Sequence, residues 1–145
     1  MLQRRFKVQK MITQSYLTDL TYRINGACIE VHKILGPGLL EKVYHEALKE
    51  EFALREIKFQ SELKVEISYK GKKLNCDYKC DFLIENAIVL EIKSVKCFDD
   101  IHRAKLLNYM SLLKVSKGIL INFNVKNIYH EGQETLVNED YKKLL

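Results

Sequence analysis

The chain has 145 residues and a mass of 17.0 kDa, the size of one domain with enough core to fold without disulfide or metal staples. Apolar residues make up 47% and charged residues 30%, with one proline and six glycines, which excludes disordered, collagenous and low-complexity classes. The net charge of +5 comes mainly from Arg4, Arg5, Lys7 and Lys10, without which 20 basic residues face 19 acidic ones.

A basic tail over residues 1–11, followed by one near-neutral domain over residues 12–145, is therefore expected. Such a tail suits nucleic acid or an anionic surface. No apolar run approaches the roughly 20 residues of a membrane helix. The basic start also lacks the apolar stretch of a secretory signal. A soluble cytoplasmic protein is the expectation.

In chain order, Leu17, Leu20, Ile24, Ala27, Cys28, Val31, Ile34 and Leu35 form a helical stripe, which Gly36-Pro37-Gly38 must end. A second helix is predicted from about Leu39 to Arg55, with Leu40, Val43, Tyr44, Ala47, Leu48 and Phe52 inward and the two helices packed as a hairpin. The period then changes. Leu63, Val65, Ile67 and Tyr69 alternate with polar residues, as in a half-buried strand. Lys70 to Lys73 reads as a turn, with further strands from about Leu74 to Ile84 and Ala87 to Val95. Asp99 and Asp100 can cap a helix running from about Ile101 to Lys114. Gly118 to Phe123 is a short apolar strand, and Asn127 to Glu131 is a candidate for another. This order gives an α/β sheet covered by helices.

The cysteines (Cys28, Cys76, Cys80, Cys97) form no CxxC pair and have no histidine at zinc-ligand spacing. On one strand, Cys76 and Cys80 would sit about 13 Å apart, too far to bridge. Reduced, mostly buried thiols are expected.

The chemistry concentrates in Cys80 to Lys93. If Glu85-Asn86-Ala87 forms a three-residue turn, residues whose numbers sum to 172 face each other, and Asp81 meets Glu91. Directly opposed side chains have Cβ atoms about 4.5–5.5 Å apart. Strand alternation places Asp81, Leu83, Val89, Glu91 and Lys93 on one face, and Phe82, Ile84, Ile88, Leu90 and Ile92 on the other. Two carboxylates so close repel, the more so between helices where water screens poorly. A divalent cation, Mg²⁺ or Mn²⁺, resolves the conflict with oxygen ligands, and Lys93 adds an amine beside it. The plain alternative is an ordinary carboxylate–lysine pair at a strand end.

Asp81 followed by Glu91-Ile92-Lys93 resembles the core of the PD-(D/E)XK nuclease superfamily. Gly38-Leu39-Leu40-Glu41-Lys42-Val43-Tyr44 resembles the pattern of its GxxExxY branch, as do Leu106-Leu107-Asn108-Tyr109 and Gly118 to Phe123. The resemblance spans roughly Ile12 to Val125 and implies a restriction-endonuclease-like core, a mixed β-sheet flanked by helices. It implies Asp81 and Glu91 as metal carriers, Lys93 as the catalytic lysine, and Glu41 as a further acid reaching the metal directly or through water.

Cys80 replaces the usual proline of the first motif, and Lys105 replaces a glutamine that family members carry before LLNY. His102, Lys105 and Tyr109 share a helical face, which makes them candidate substrate contacts. Lys105 would either hold a phosphate or compete with the metal for Asp81 and Glu91.

The reading is a Mg²⁺-dependent nuclease hydrolysing DNA or RNA phosphodiesters, with Lys70, Lys72, Lys73, Lys79 and Lys96 along the backbone path. The alternative is a non-catalytic module of the same fold that binds nucleic acid or a protein partner. A small-molecule phosphate-binding or nucleotide-hydrolysing protein is a third, weaker reading, since no long basic groove is evident. A homodimer is open, although no segment marks an interface.

Overall fold

The computed structural model describes residues 11–145; the basic-tail expectation falls almost entirely on residues outside this range. Helix α1, Gln14–Leu35, starts where the Thr13 hydroxyl accepts the Tyr16 N–H at 3.0 Å, a side-chain cap for an orphan donor. Its stripe buries Leu17, Leu20, Ile24, Ala27, Cys28 and Val31, whereas Ile34 runs past the core and is exposed. Gly36, at φ 68°, takes the left-handed stop.

Helix α2, Glu41–Leu54, buries Tyr44, His45, Leu48 and Phe52. Leu40 and Val43, expected inside, are exposed instead, Leu40 by 77%. Leu40 is the extended residue before the first helical turn, so it lies off the helix's inner stripe. The Tyr44 hydroxyl donates to the Gly36 carbonyl at 2.6 Å and accepts the Leu39 N–H at 3.1 Å, which fixes the link between the two helices.

The central sheet contains β1 (Phe59–Lys64), β4 (Lys79–Ile84), β5 (Ile88–Lys93), β6 (Lys117–Asn122) and β7 (Gln133–Val137), side by side in that order. Only β5 and β6 run parallel. Helix α3 (Asp100–Leu113) makes their crossover, as a parallel pair requires. A separate small hairpin pairs β2 (Ser68–Tyr69) with β3 (Lys72–Lys73) across Lys70 and Gly71, both at positive φ.

Three boundaries depart from expectation. The alternating stretch from Leu63 is not one strand: β1 starts at Phe59 and ends at Lys64, and Ser68–Tyr69 belongs to the exposed hairpin. The strand expected from Leu74 begins only at Lys79. Asn127 to Glu131 is not a strand: Ile128–Gly132 forms a π-helical turn, and the Asn127 side chain accepts the His130 N–H at 3.2 Å.

One sheet face packs Phe82, Ile84, Ile88, Leu90, Ile92, Ile119, Ile121 and Phe123 against α1 and α2. The opposite face packs Cys80, Leu83, Val89 and Leu120 against Leu106, Tyr109 and Met110 of α3. Helices therefore flank a mixed sheet on both sides. Gly118 lets α3 approach β6 closely, since a Cβ there would lie 2.7 Å from the Met110 sulfur and 2.8 Å from Leu106 Cδ1.

All four cysteines are free. Cys28 and Cys80 are buried, and Cys76 and Cys97 are exposed. Burial, foremost, pushes the Cys28 and Cys80 thiols up to about 12, so neither is a thiolate nucleophile at neutral pH.

Candidate metal centre

The site begins with the turn between β4 and β5. Glu85 and Asn86 take left-handed backbone at φ 51° and 54°, and the Ala87 N–H closes onto the Ile84 carbonyl at 2.9 Å. The three-residue turn sets the register: Ile84 faces Ile88, Leu83 faces Val89 and Phe82 faces Leu90. At the next step the backbone ladder stops. There the Asp81 N–H donates to Glu91 Oε1, and the Ile92 N–H donates to Asp81 Oδ2, both at 2.9 Å. Each carboxyl group accepts a backbone N–H beside the other, which fixes both side chains.

Asp81 also lies at a break in the pairing on its other side. Ser61 pairs with Phe82 and Leu63 with Cys80, but Glu62 and Asp81 between them do not pair, and Glu62 has φ 50°. Alternation fails here. Cys80 belongs to the α3-side core and Phe82 to the α1/α2-side core, although they are two residues apart on one strand.

The expected shared face for Asp81 and Glu91 is corrected accordingly. Asp81 opens, with Glu41, His45, Glu46, Glu62 and Ile92, onto a cavity of about 360 Å³ beside α2. Glu91 keeps the face of Val89, which packs against α3. The two acids adjoin across the hairpin while opening onto different surroundings.

Glu91 is only 3% exposed. Burial first, then the neighbouring Asp81 charge, push its carboxyl up to about 8, against the opposing pull of the Asp81 N–H, Lys93 and Lys105. Lys93 is the last residue of β5 and is half-buried. Immediately after it, the Ser94 N–H donates to Glu41 Oε1 at 3.3 Å, and the Ser94 hydroxyl donates to the Leu39 carbonyl at 2.7 Å. Thus the first residue of α2 is tied to the strand end that carries Lys93.

On α3, the Lys105 ammonium sits 5.8 Å from the centre of the Tyr109 ring. Tyr109 is buried, stacks on Tyr78 at 4.7 Å and donates its hydroxyl to the Lys79 carbonyl at 2.6 Å. Burial, then the Glu91 charge, raise its phenol above the ordinary range. His102 has a task in the helix cap: its Nδ1 accepts the Asp99 N–H at 3.0 Å.

The structure thus joins Asp81 to Glu91 by crossed hydrogen bonds, joins Asp81 to Glu41 through a shared cavity, and brings the charges of Lys93 and Lys105 to bear on Glu91. It does not bring His102 into this group. Among the described residues, no cluster of three or more histidine, cysteine or acidic side chains closes on one point. The donor chemistry, as distinct from a closed ligand cluster, is of the kind a divalent cation takes. The second oxygens, Asp81 Oδ1 and Glu91 Oε2, have no hydrogen bond among the described residues, and burial, then the Asp81 charge, raises the Glu91 carboxyl. Hard carboxylate oxygens are what Mg²⁺ and Mn²⁺ take.

A model of the PD-(D/E)XK nuclease superfamily matches residues 18–135, a span that contains both acids, Lys93 and the sheet as far as the middle of β7. The chain belongs to the PD-(D/E)XK nuclease superfamily. Its five-stranded mixed sheet between helices is the restriction-endonuclease-like arrangement. A solved structure described as "Crystal structure of SSO0001" shares this fold, with a TM-score of 0.55 and 20% identity over 93% of this chain and 70% of that chain. No curated protein matches the chain. No helix among the described residues is long and apolar enough to cross a membrane.

Sequence reasoning missed two residues that build this end of the sheet. Asn122, 2% exposed, donates to the Val95 carbonyl at 2.8 Å and accepts the N–H groups of Val95 and Asn124, each at 3.1 Å. It thereby holds the segment after Lys93 in place. A lone amide inside the apolar run Ile119 to Phe123 was the available signal. His45, buried on α2, stacks on Phe82 at 4.3 Å and hydrogen-bonds Ser61 Oγ at 2.7 Å. Its position one residue after Tyr44 gave no such signal.

Proposed function

We propose that this chain is a nuclease that hydrolyses phosphodiester bonds of DNA or RNA with a divalent metal, Mg²⁺ or Mn²⁺. The observation that carries the proposal is the crossed pair, Asp81 and Glu91, fixed side by side at the point where the β4–β5 ladder gives way, with Lys93 at the strand end. Asp81 Oδ1 and Glu91 Oε2 are the oxygens that would hold the ion, and Glu41 is the further acid, reaching it through the shared cavity directly or by way of water. Such an ion, when bound, lowers the pKa of its water and offsets charge developing on phosphorus. Lys93 holds a phosphate oxygen or orients the attacking water with its ammonium. Lys105 contributes a second cation on the α3 side, and Tyr109 supports that wall by its hydrogen bond to β4.

Glu41 opens α2 within a segment that resembles the GxxExxY branch, and its tie to Ser94 supports that finer assignment. Free cysteines suit a reducing, cytoplasmic setting.

The second reading, a non-catalytic nucleic-acid-binding module, draws on one observation: the Lys105 charge acts on Glu91, where it competes with a metal. Calorimetric titration with Mn²⁺ separates the two. Binding that disappears in Asp81→Asn and in Glu91→Gln supports the site, whereas an unaltered protein that binds no metal leaves the module reading. Cleavage of single-stranded, duplex and branched substrates, lost in Lys93→Ala, then tests catalysis. Activity that persists in Lys93→Ala refutes the assigned role.

A further inference from the structure

A second cavity lies at the same end of the sheet, between the C-terminal half of α1 and the segment after β6. It measures about 360 Å³, and Ile29, His32, Lys33, Lys126, Ile128 and Tyr129 line it. Its charge differs from that of the Asp81 cavity: no carboxylate lines it, whereas four carboxylates, Glu41, Glu46, Glu62 and Asp81, line the other beside one cation, Lys42. Among the described residues neither Lys33 nor Lys126 has an acidic partner. The neighbouring Glu131 turns its carboxylate to the Asn127 N–H at 3.3 Å. Tyr129 is 66% exposed, and its ring meets that of His130 edge-on at 5.2 Å, which leaves a face open to solvent.

The walls are held firmly. His32 Nε2 is hydrogen-bonded to the Val125 carbonyl at 2.7 Å, which ties the end of α1 to this segment. Gly132 brings the π-helical turn against the end of β6, where a Cβ would lie 2.5 Å from the Asn122 carbonyl oxygen. Asn122 is the parallel partner of Lys93. One strand spacing plus four residues of chain therefore puts the Lys126 backbone within about 19 Å of Lys93. That is a reach of about five stacked nucleotides at roughly 3.4 Å each.

We propose that this cavity is a subsite for a single-stranded segment of the nucleic-acid substrate, with Lys33 and Lys126 on phosphates and Tyr129 stacked on a base. The proposal rests on the nuclease reading and names the strand path that reading leaves open. Lysine ammonium groups without internal partners bind phosphates as point charges. An exposed ring flanked by cations gives a stacking platform that any unpaired base can use, whereas a duplex keeps its bases inside.

The test is fluorescence anisotropy with a labelled single strand of about a dozen nucleotides, in EDTA so that binding is read apart from catalysis. Tyr129→Ala should weaken binding by about 5- to 150-fold, the range for loss of one stacked base. Lys33→Gln and Lys126→Gln should each reduce the slope of log affinity against log salt by about 0.7. Lys142→Gln makes the same charge change at the far end of the molecule, beside the start of α1, and should alter neither quantity.

Variants at the cavity that bind like Lys142→Gln overturn the proposal, as does an unaltered protein that binds no single strand. A preference for duplex that survives Tyr129→Ala also overturns it. The nuclease reading fails separately: cavity variants that weaken binding in a protein that cleaves nothing with any metal leave the subsite standing and remove the catalysis.

Discussion

Replacing Glu91 by glutamine tests the electrostatics of the centre most directly. The amide keeps an Oε1 to accept the Asp81 N–H, so the change removes charge while preserving the hydrogen bond. Burial and the Asp81 charge raise the Glu91 carboxyl from 4.5 to about 8. Between those values the folded chain holds a proton that the unfolded chain has lost. By linkage, the stability contributed by protonated Glu91 is present below about pH 4.5, declines as pH rises, and is gone above about pH 8. At about 1.4 kcal/mol per pKa unit, the loss approaches 5 kcal/mol as an upper figure.

In EDTA, urea unfolding of the unaltered protein should therefore weaken from pH 5 to pH 9 relative to Glu91→Gln. The variant should be the more stable of the two at pH 9 by at least about 2 kcal/mol. Adding Mn²⁺ at 100 times its Kd should return about 2.7 kcal/mol to the unaltered protein at pH 9 and much less to the variant. Parallel pH profiles for the two proteins would refute the argument, because Glu91 would then carry no unrelieved charge.

Asp81→Asn in metal-free buffer should be neutral or stabilising, since an oxygen for the Ile92 N–H remains and the repulsion goes; Asp81→Ala should instead lose about 1–3 kcal/mol by leaving that donor unpaired, both read by urea denaturation. Gly118→Ala should cost about 1–3 kcal/mol through overpacking against Met110 and Leu106, seen as a lower denaturation midpoint at unchanged slope. Asn122→Ala should lose about 1–3 kcal/mol, because the Val95 groups lose a buried partner; it should also slow cleavage through displacement of the segment after Lys93, and cleavage at the unaltered rate would contradict that. Lys105→Gln should tighten Mn²⁺ binding in calorimetry if Lys105 competes for Glu91; weaker binding would show that it does not.

The hairpin register was legible because a three-residue turn fixes which residues face each other, and the observed pairs of Phe82, Leu83 and Ile84 follow from it. The helices were legible from apolar spacing and caps, down to Asp99 starting α3. Alternation could not show that Asp81 leaves the pleat, since that depends on the unpaired step opposite Glu62 on a strand 19 residues earlier. Nor could it split the stretch from Leu63 to Tyr69, whose second half pairs locally with Lys72–Lys73 and leaves the sheet. On α2 the apolar count favoured Leu40 and Val43. The buried place went instead to His45, whose ring finds both an aromatic surface in Phe82 and a polar partner in Ser61.

The break at Asp81 explains why acids sit where they do. A strand edge that loses its partner exposes backbone N–H groups, and in a half-buried sheet each such donor needs an acceptor. Here β4 loses its ladder at Asp81 toward both β1 and β5, and the Asp81 and Ile92 N–H groups turn to carboxylates. Neutral acceptors could meet the same need without placing two negative charges side by side. The backbone therefore accounts for acceptors at positions 81 and 91 but not for their charge. With Glu91 raised to about 8 despite Lys93 and Lys105, its carboxyl holds a proton at neutral pH in the absence of a further positive partner. Under the proposed nuclease reading a divalent cation would take the place of that proton, and the two carboxylate oxygens left without hydrogen bonds are the atoms through which it would bind.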